Sequence, residues 1–258
     1  MPVHPTAIVD PAAQIAESAE IGPYCTIGAD VLIGERTRVM AHVCMEGPLT
    51  IGDENVFFPF STVGFAPQDL KYKGERSETR IGHRNRVREF VTIHRGTEGG
   101  GMITSVGDGN LLMAYVHVAH DVQAGSHIVF GHGATIGGHV AIEDWAVISA
   151  GSAVHQFCRI GRHSIVGGYS VITQDVLPYS MTVSEREVHV FGTNKTGLER
   201  RGVSAQIIDE LHKAFRLLTK SGLNTTQALE RIDAEVPASA ERDTLIEFIR
   251  TAKRGFIK

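Results

Sequence analysis

Thirteen histidines stand in this chain of 258 residues, and several share a spacing that would let them act together. His117 and His120 lie in AYVHVAHD, His139 in GGHV, and His155 and Gln156 in AVHQF. Eighteen residues beyond His120 comes Gly138, with His139 beside it. Thirty-six beyond comes Gln156, with His155 beside it. An imidazole titrating near neutral pH suits removal of a proton from a hydroxyl group, and His120 is the candidate base. The backbone N–H of Gly138 is a candidate donor to a developing oxyanion, because glycine lets a reacting group approach its amide closely. Asp121 is placed to orient the His120 ring only if the pair occupies a corner, since neighbours on a flat strand face opposite ways. Any one histidine on a solvated wall is ordinarily just tolerated there; a patch of them is harder to explain that way.

The significance of eighteen comes from a period of six. Val3, Val9, Ile15, Ile21, Ile27, Ile33, Val39, Met45, Ile51, Phe57 and Val63 form one unbroken series, and Val106 to Ile172 carry a second that only Ala124 weakens. With apolar residues at 42 % of the chain, eleven in a row by chance is on the order of 1 in 10⁴. Gly often follows, and the fifth position is often small or β-branched, as at Cys25, Thr37, Ala134 and Ser152. Neither 3.6 nor 2 gives six. A triangular coil does, with one flat side and one corner per hexad, the large residue inward and the glycine easing the turn. Three hexads make a coil, and successive coils pair about 4.8 Å apart, so residues 18 apart form columns. Discounting seven residues around Gly99–Gly101 puts His94 in the column of Ala119, Gly137 and His155.

The series is interrupted twice. Phe65 to Arg80 is too polar for a wall and predicts a loop replacing, or projecting from, one coil; a second insertion follows Ile93. Surface insertions are commonly tolerated, but these two flank the histidine-rich stretch. After Pro178 the repeat stops. Ser204 is a candidate N-cap for a helix with Ile207, Ile208, Leu211, Phe215 and Leu218 on one face, ended by Ser221–Gly222. Further helices are expected over Thr225–Ile232 and Ala238–Ala252. The predicted domains are 1–185, a β-helix with insertions near 65–80 and 98–105, and 186–258, a helical domain.

Net charge is −4 and the isoelectric point about 6.3, which implies no broad nucleic-acid surface. Cys25, Cys44 and Cys158 lack CxxC spacing and read as inert thiols of a reducing compartment. No leader and no apolar run of 18 residues is visible, so a cytoplasmic protein without an integral membrane segment is expected.

QDLKYKGE (68–75), TIHRG (92–96), NLLMAYVHVAHD (110–121), GGHV (137–140), AVHQFCRIG (153–161), QDVLPY (174–179) and GLERRG (197–202) together resemble the bacterial UDP-N-acetylglucosamine acyltransferase family over essentially the whole length. The resemblance implies a left-handed parallel β-helix with a C-terminal α-helical domain, mainly β. It implies a homotrimer with clefts between subunits. The implied reaction moves a (R)-3-hydroxyacyl chain from the phosphopantetheine of acyl carrier protein to the 3-position of UDP-N-acetylglucosamine, the first step of lipid A biosynthesis, with no metal or other cofactor. His120 matches the family's general base and Gly138 its oxyanion amide. Substrate contacts map to Gln68, Asp69, Lys71, His94, His117, His139, His155, Gln156, Asn194 and Arg200, with the Gln68–Lys71 loop reaching a neighbouring subunit's site. Gly168 stands where the family often sets acyl length, and a small residue there implies a long channel. The stretch VSEREVHVFGTNKTG (183–197) departs from the family's pattern, with one residue added and Thr196 where an acidic residue is usual. Because acyl carrier protein is acidic, Arg159, Arg162, Arg200, Arg201, Lys213, Arg216 and Lys220 are candidates to meet it. Two other readings are a metal-dependent carbonic-anhydrase-like β-helix using His127 and His132, and a non-catalytic scaffold.

Overall fold

Inward apolar residues every sixth position wind the chain into a left-handed parallel β-helix, mainly β, followed by a C-terminal group of α-helices. The computed structural model describes residues 3–184, 190 and 192–252. The chain divides into two compact units, Met1–Glu185 and Arg186–Lys258. In the first unit, short strands stack into three all-parallel sheets of nine, eight and nine strands, one for each side of the triangular coil. Thr26 pairs with Cys44 and His117 with Thr135, eighteen residues apart. The large hexad residues fill the interior: Phe57, Ile93, Leu112, Phe130, Ile136 and Ile148 are fully buried. The small fifth-position residues Cys25, Thr37, Ala134 and Ser152 are buried with them.

The glycines do a different job from the expected one. The left-handed backbone conformation at the corners falls two residues later, on Tyr24 (φ 57°), Asp30 (φ 56°), Arg36 (φ 54°) and their equivalents. Glycine is required instead by close approach. A Cβ on Gly22 would stand 2.9 Å from the carbonyl carbon of Met40 on the next coil. At Gly22 the adjoining coil therefore leaves no room for a side chain, although Met40, at the same place in its own hexad, carries one.

Both insertions project from corners and leave the stack intact. Thr62 pairs with Thr92, thirty residues apart, so twelve residues (66–77) leave the first coil. Thr92 pairs with His117, twenty-five apart, which confirms the seven-residue discount at the second. The first loop is shorter than expected, because Glu78–Ile81 is a strand paired with both Leu49–Ile51 and Ile103–Val106. A buried asparagine ladder spans the interrupted coils. Asn55 Oδ1 accepts from Asn85 N–H at 2.9 Å, Asn85 Oδ1 from Asn110 N–H at 2.8 Å, and Asn110 Oδ1 from Ile128 N–H at 2.7 Å. These bonds hold the register that the site needs, since buried amides left unpaired would be costly.

The second unit has four helices among the described residues: α1 (Lys195–Arg200), α2 (Ala205–Thr219), α3 (Thr225–Glu235) and α4 (Ala240–Thr251). Ser204 caps α2 through the Ile207 N–H, Asn224 forms a capping box with Gln227, and Ser239 caps α4. Ala214, Leu217, Leu218, Ala228, Ile232, Ile246 and Ile249 form its core. The α2 face turns slightly from expectation, with Ala214 and Leu217 buried while Ile207 and Phe215 are only half-buried. Among the described residues no helix is long and apolar enough to cross a membrane.

Candidate active site

His120 and Asp121 sit in a turn, the corner that their joint action requires. Asp121 takes φ 60°, which swings its carboxylate to the same side as the preceding imidazole. His120 Nδ1 lies 2.7 Å from Asp121 Oδ2, and the Asp121 side chain is completely shielded from solvent. An ionised carboxylate only accepts, so beside it His120 donates through Nδ1–H, which leaves Nε2 free to accept a proton. On the next coil Gly138 stands against this ring: a Cβ there would be 2.6 Å from His120 Cε1 and 2.8 Å from Nε2. The Gly138 carbonyl accepts from Phe157 N–H, whereas its own N–H has no acceptor among the described residues. An unpaired amide beside an imidazole nitrogen is the pair of groups that acyl transfer to a hydroxyl calls for.

Around this pair the column map holds. The His139 ring meets that of His120 edge-on at 5.1 Å and stacks on Phe157 at 4.4 Å. His139 Nδ1 is 3.8 Å from Asp121 Oδ2. His94 meets His117 edge-on at 5.0 Å, and Thr92 Oγ1 is 2.6 Å from His117 Nδ1. His155 and Gln156 are exposed on the following coil, His155 Nδ1 being 3.1 Å from the Gln156 carbonyl. Asp69 and Lys71 of the first insertion line a cavity of about 510 Å³ together with Thr97, His139 and Phe157. The loop thus lies beside His139 of its own chain. Glu75 fixes its course: the carboxylate accepts from Lys73 N–H and from Glu98 N–H of the second insertion, folding one insertion onto the other. Those amides hold the Glu75 carboxyl below its ordinary range. Gln68 is exposed in the same loop.

Three further expected contacts stand in other surroundings of their own units. Gly168 stands in the column of His132 and Ala150, one corner away from His120, and a side chain there would meet only the Ala150 carbonyl at 3.5 Å. Asn194 caps α1 by accepting from Gly197 N–H at 3.2 Å, and exposed Arg200 ends that helix; both belong to the second unit. Residues 185–189 and 191 of the divergent stretch lie outside the described residues. His127 stacks on Trp145 at 4.2 Å and His132 lies edge-on to Tyr115 at 5.5 Å, on different corners, so the two do not share a site within one chain. Among the described residues the side chains close enough to share a metal are His120, Asp121 and His139, already engaged with one another. Thr97, Thr104 and Phe157 escaped sequence reasoning: Thr97 and Asp121 are twenty-four apart, off the 18-residue grid.

Burial, followed by the charges that His117 and His120 would carry, pushes the His94 pKa down to about 4. Burial and then His120 also lower His117. Both stay neutral at pH 7, so His120 does not face a fixed positive charge from either. Because His94 is easier to protonate unfolded than folded, its contribution is nil above pH 6.5 and becomes a loss as pH falls from 6.5 toward 4. The slope approaches about 1.4 kcal/mol per pH unit. Thermal melts between pH 7 and 4.5 should therefore fall less steeply in His94→Gln than in the wild type. Equal slopes would place the acid sensitivity elsewhere.

The description "Udp N-acetylglucosamine O-acyltransferase; Domain 2" matches residues 175–257. A protein of Thermodesulfovibrio yellowstonii named acyl-[acyl-carrier-protein]–UDP-N-acetylglucosamine O-acyltransferase is 44 % identical over 256 residues, covering 99 % of each chain. One of the same name from Burkholderia lata is 45 % identical over 261 residues, again covering 99 % of both. Among solved structures, LpxA from Acinetobacter baumannii is 41 % identical with a TM-score of 0.71, covering 99 % of both chains. An Arabidopsis UDP-N-acetylglucosamine acyltransferase is 31 % identical with a TM-score of 0.62, covering 99 % of this chain and all of that one. Full-length identity at this level, on the same parallel coils, means that the chain belongs to the UDP-N-acetylglucosamine O-acyltransferase family.

Proposed function

We propose that this enzyme transfers a (R)-3-hydroxyacyl chain from acyl carrier protein to the 3-position of UDP-N-acetylglucosamine, the first step of lipid A biosynthesis. The observation that carries the mechanism is the His120–Asp121 pair packed against Gly138, whose N–H has no acceptor among the described residues. His120 Nε2 takes the proton of the acceptor 3-hydroxyl. The oxygen attacks the thioester carbonyl, and a C–O bond forms while the carbonyl oxygen gathers charge beside Gly138 N–H. The C–S bond then breaks, and the leaving thiolate takes the proton from the His120 imidazolium, which Asp121 has stabilised. No covalent enzyme intermediate, metal or other cofactor enters these steps. Asp69, Lys71, His139 and His155 supply polar contacts around the base, and neutral His94 and His117 support the wall behind it.

The partners in this reading are acyl carrier protein and the UDP-sugar. The assembly is a cytoplasmic homotrimer that binds no nucleic acid. Not every candidate cation is free for the acidic carrier. Arg159 pairs with Asp175, Arg162 with Glu143, and Lys213 with Glu235. Arg216 and Lys220 project on the same side of α2 as Lys213, around a cavity of about 580 Å³. Mass spectrometry of products from a panel of acyl carrier thioesters, offered with the 3-hydroxy and the 3-amino UDP-sugars, tests the proposal. A mass increase of one hydroxyacyl group on the 3-hydroxy sugar is expected, unchanged by EDTA. Activity lost to EDTA and restored by zinc would favour the metal-dependent alternative, and no acylated sugar from any donor would overturn the assignment.

A further inference from the structure

Buried carboxylates beside a catalytic imidazole have to be held still, and the group that holds Asp121 comes from the second insertion. Thr97 lies just past the strand Thr92–His94 and is itself buried. Its backbone N–H donates to Asp121 Oδ1 at 2.8 Å, and its hydroxyl to Asp121 Oδ2 at 2.6 Å. One residue thus grips both oxygens, and the second oxygen is the one that accepts from His120. The position of Thr97 makes this bond notable. It is the N-cap residue of the one-turn 3₁₀ helix Glu98–Gly100, where a threonine hydroxyl ordinarily accepts from a helix N–H. No such capping bond is present; the hydroxyl points to Asp121 instead. Two glycines let the insertion come this close. A Cβ on Gly100 would fall 1.9 Å from Asp121 Cγ, and one on Gly96 would fall 2.9 Å from Asp121 Oδ1 and 2.3 Å from Ile103 N. From the other side Thr104 Oγ1 accepts the Asp121 N–H at 2.7 Å.

We infer that Thr97 is a positioning residue for the general base: its two donors fix the Asp121 carboxylate, and through it the His120 tautomer that leaves Nε2 free. The seven inserted residues then exist to deliver that clamp and to seal the carboxylate from water. The inference rests on the general-base reading of His120, but its structural half can be measured without turnover. In Thr97→Val the hydroxyl donor is lost while the backbone donor and the shape remain. With ¹⁵N-histidine labelling, the wild-type His120 resonances should report the Nδ1–H tautomer, and Thr97→Val should populate the Nε2–H form. Turnover should fall on the order of tenfold, the scale of one charge-assisted hydrogen bond, with KM for both substrates held. Thr97→Ser should restore both signals, because it returns the hydroxyl. If the valine variant does not fold, Thr97→Ala takes the same measurements. An unchanged tautomer and a kcat within twofold of wild type would overturn the inference. A wild type that transfers no acyl group but still shows the Thr97-dependent tautomer would instead count against the catalytic reading alone.

Discussion

Alanine at position 120 should lower acyl transfer by at least a hundredfold while leaving the coils as they are. A positioned general base contributes about 10²–10⁴ in rate. His120 has no second nucleophile or metal behind it in this mechanism to share that burden. Its side chain is mostly covered and pinned by Asp121, so the geometry is fixed before substrate arrives. Removal should not unfold the protein, because the ring lies outside the hexad core. The inward residues of that stretch are Val118 and Ile136, both fully buried and untouched by the change. The measurement is a steady-state rate beside a thermal melt. A variant with the wild-type melt and more than a tenth of the wild-type rate would remove His120 from the role of base. His139 would then be the next imidazole to examine, since its Nδ1 is 3.8 Å from the same carboxylate.

The columns that make this prediction possible were readable because the hexad repeat is geometric. Once six residues make a side and a corner, His120 above Gly138 follows by counting, and the pairing of His117 with Thr135 bears it out. What escaped the count was whatever left the grid. Thr79 is fully buried within a strand, yet a polar residue in a polar stretch gives no inward signal, so Glu78–Arg80 read as loop. Asn55, Asn85 and Asn110 are buried for their amides, which hydropathy scores as surface. Thr97 meets Asp121 only because an insertion folds back across a corner, a contact set by loop conformation rather than period. The helix at Lys195–Arg200 is six residues long with Gly197 inside it, too short to show a 3.6-residue stripe.

Placing any side chain at position 138 should be nearly as damaging as removing the base, and for a reason that counting alone does not give. In the repeat, Gly138 looks like a small residue that leaves space for a thioester. In the folded chain the first group a new side chain meets is the His120 ring. A Cβ would lie 2.6 Å from His120 Cε1, 2.8 Å from Nε2 and 3.1 Å from Nδ1, distances at which one of the two must move. The Gly138 backbone is tied to the next coil through the bond from Phe157 N–H, so the ring yields first. A displaced ring loses the 2.7 Å bond to Asp121 and the alignment of Nε2 with the acceptor hydroxyl. Gly138→Ala should therefore already lose about 10²-fold in kcat, and Gly138→Val only modestly more, since the first carbon does the damage. Crowding of the thioester alone would give the opposite ranking, a mild alanine and a severe valine. Both variants should keep the wild-type melt because Ile136, Val140 and Ile142 still fill the interior. If Gly138→Ala keeps more than a tenth of the activity, the glycine is not needed for the close approach of the two groups, and the oxyanion role assigned to its amide loses its main geometric support.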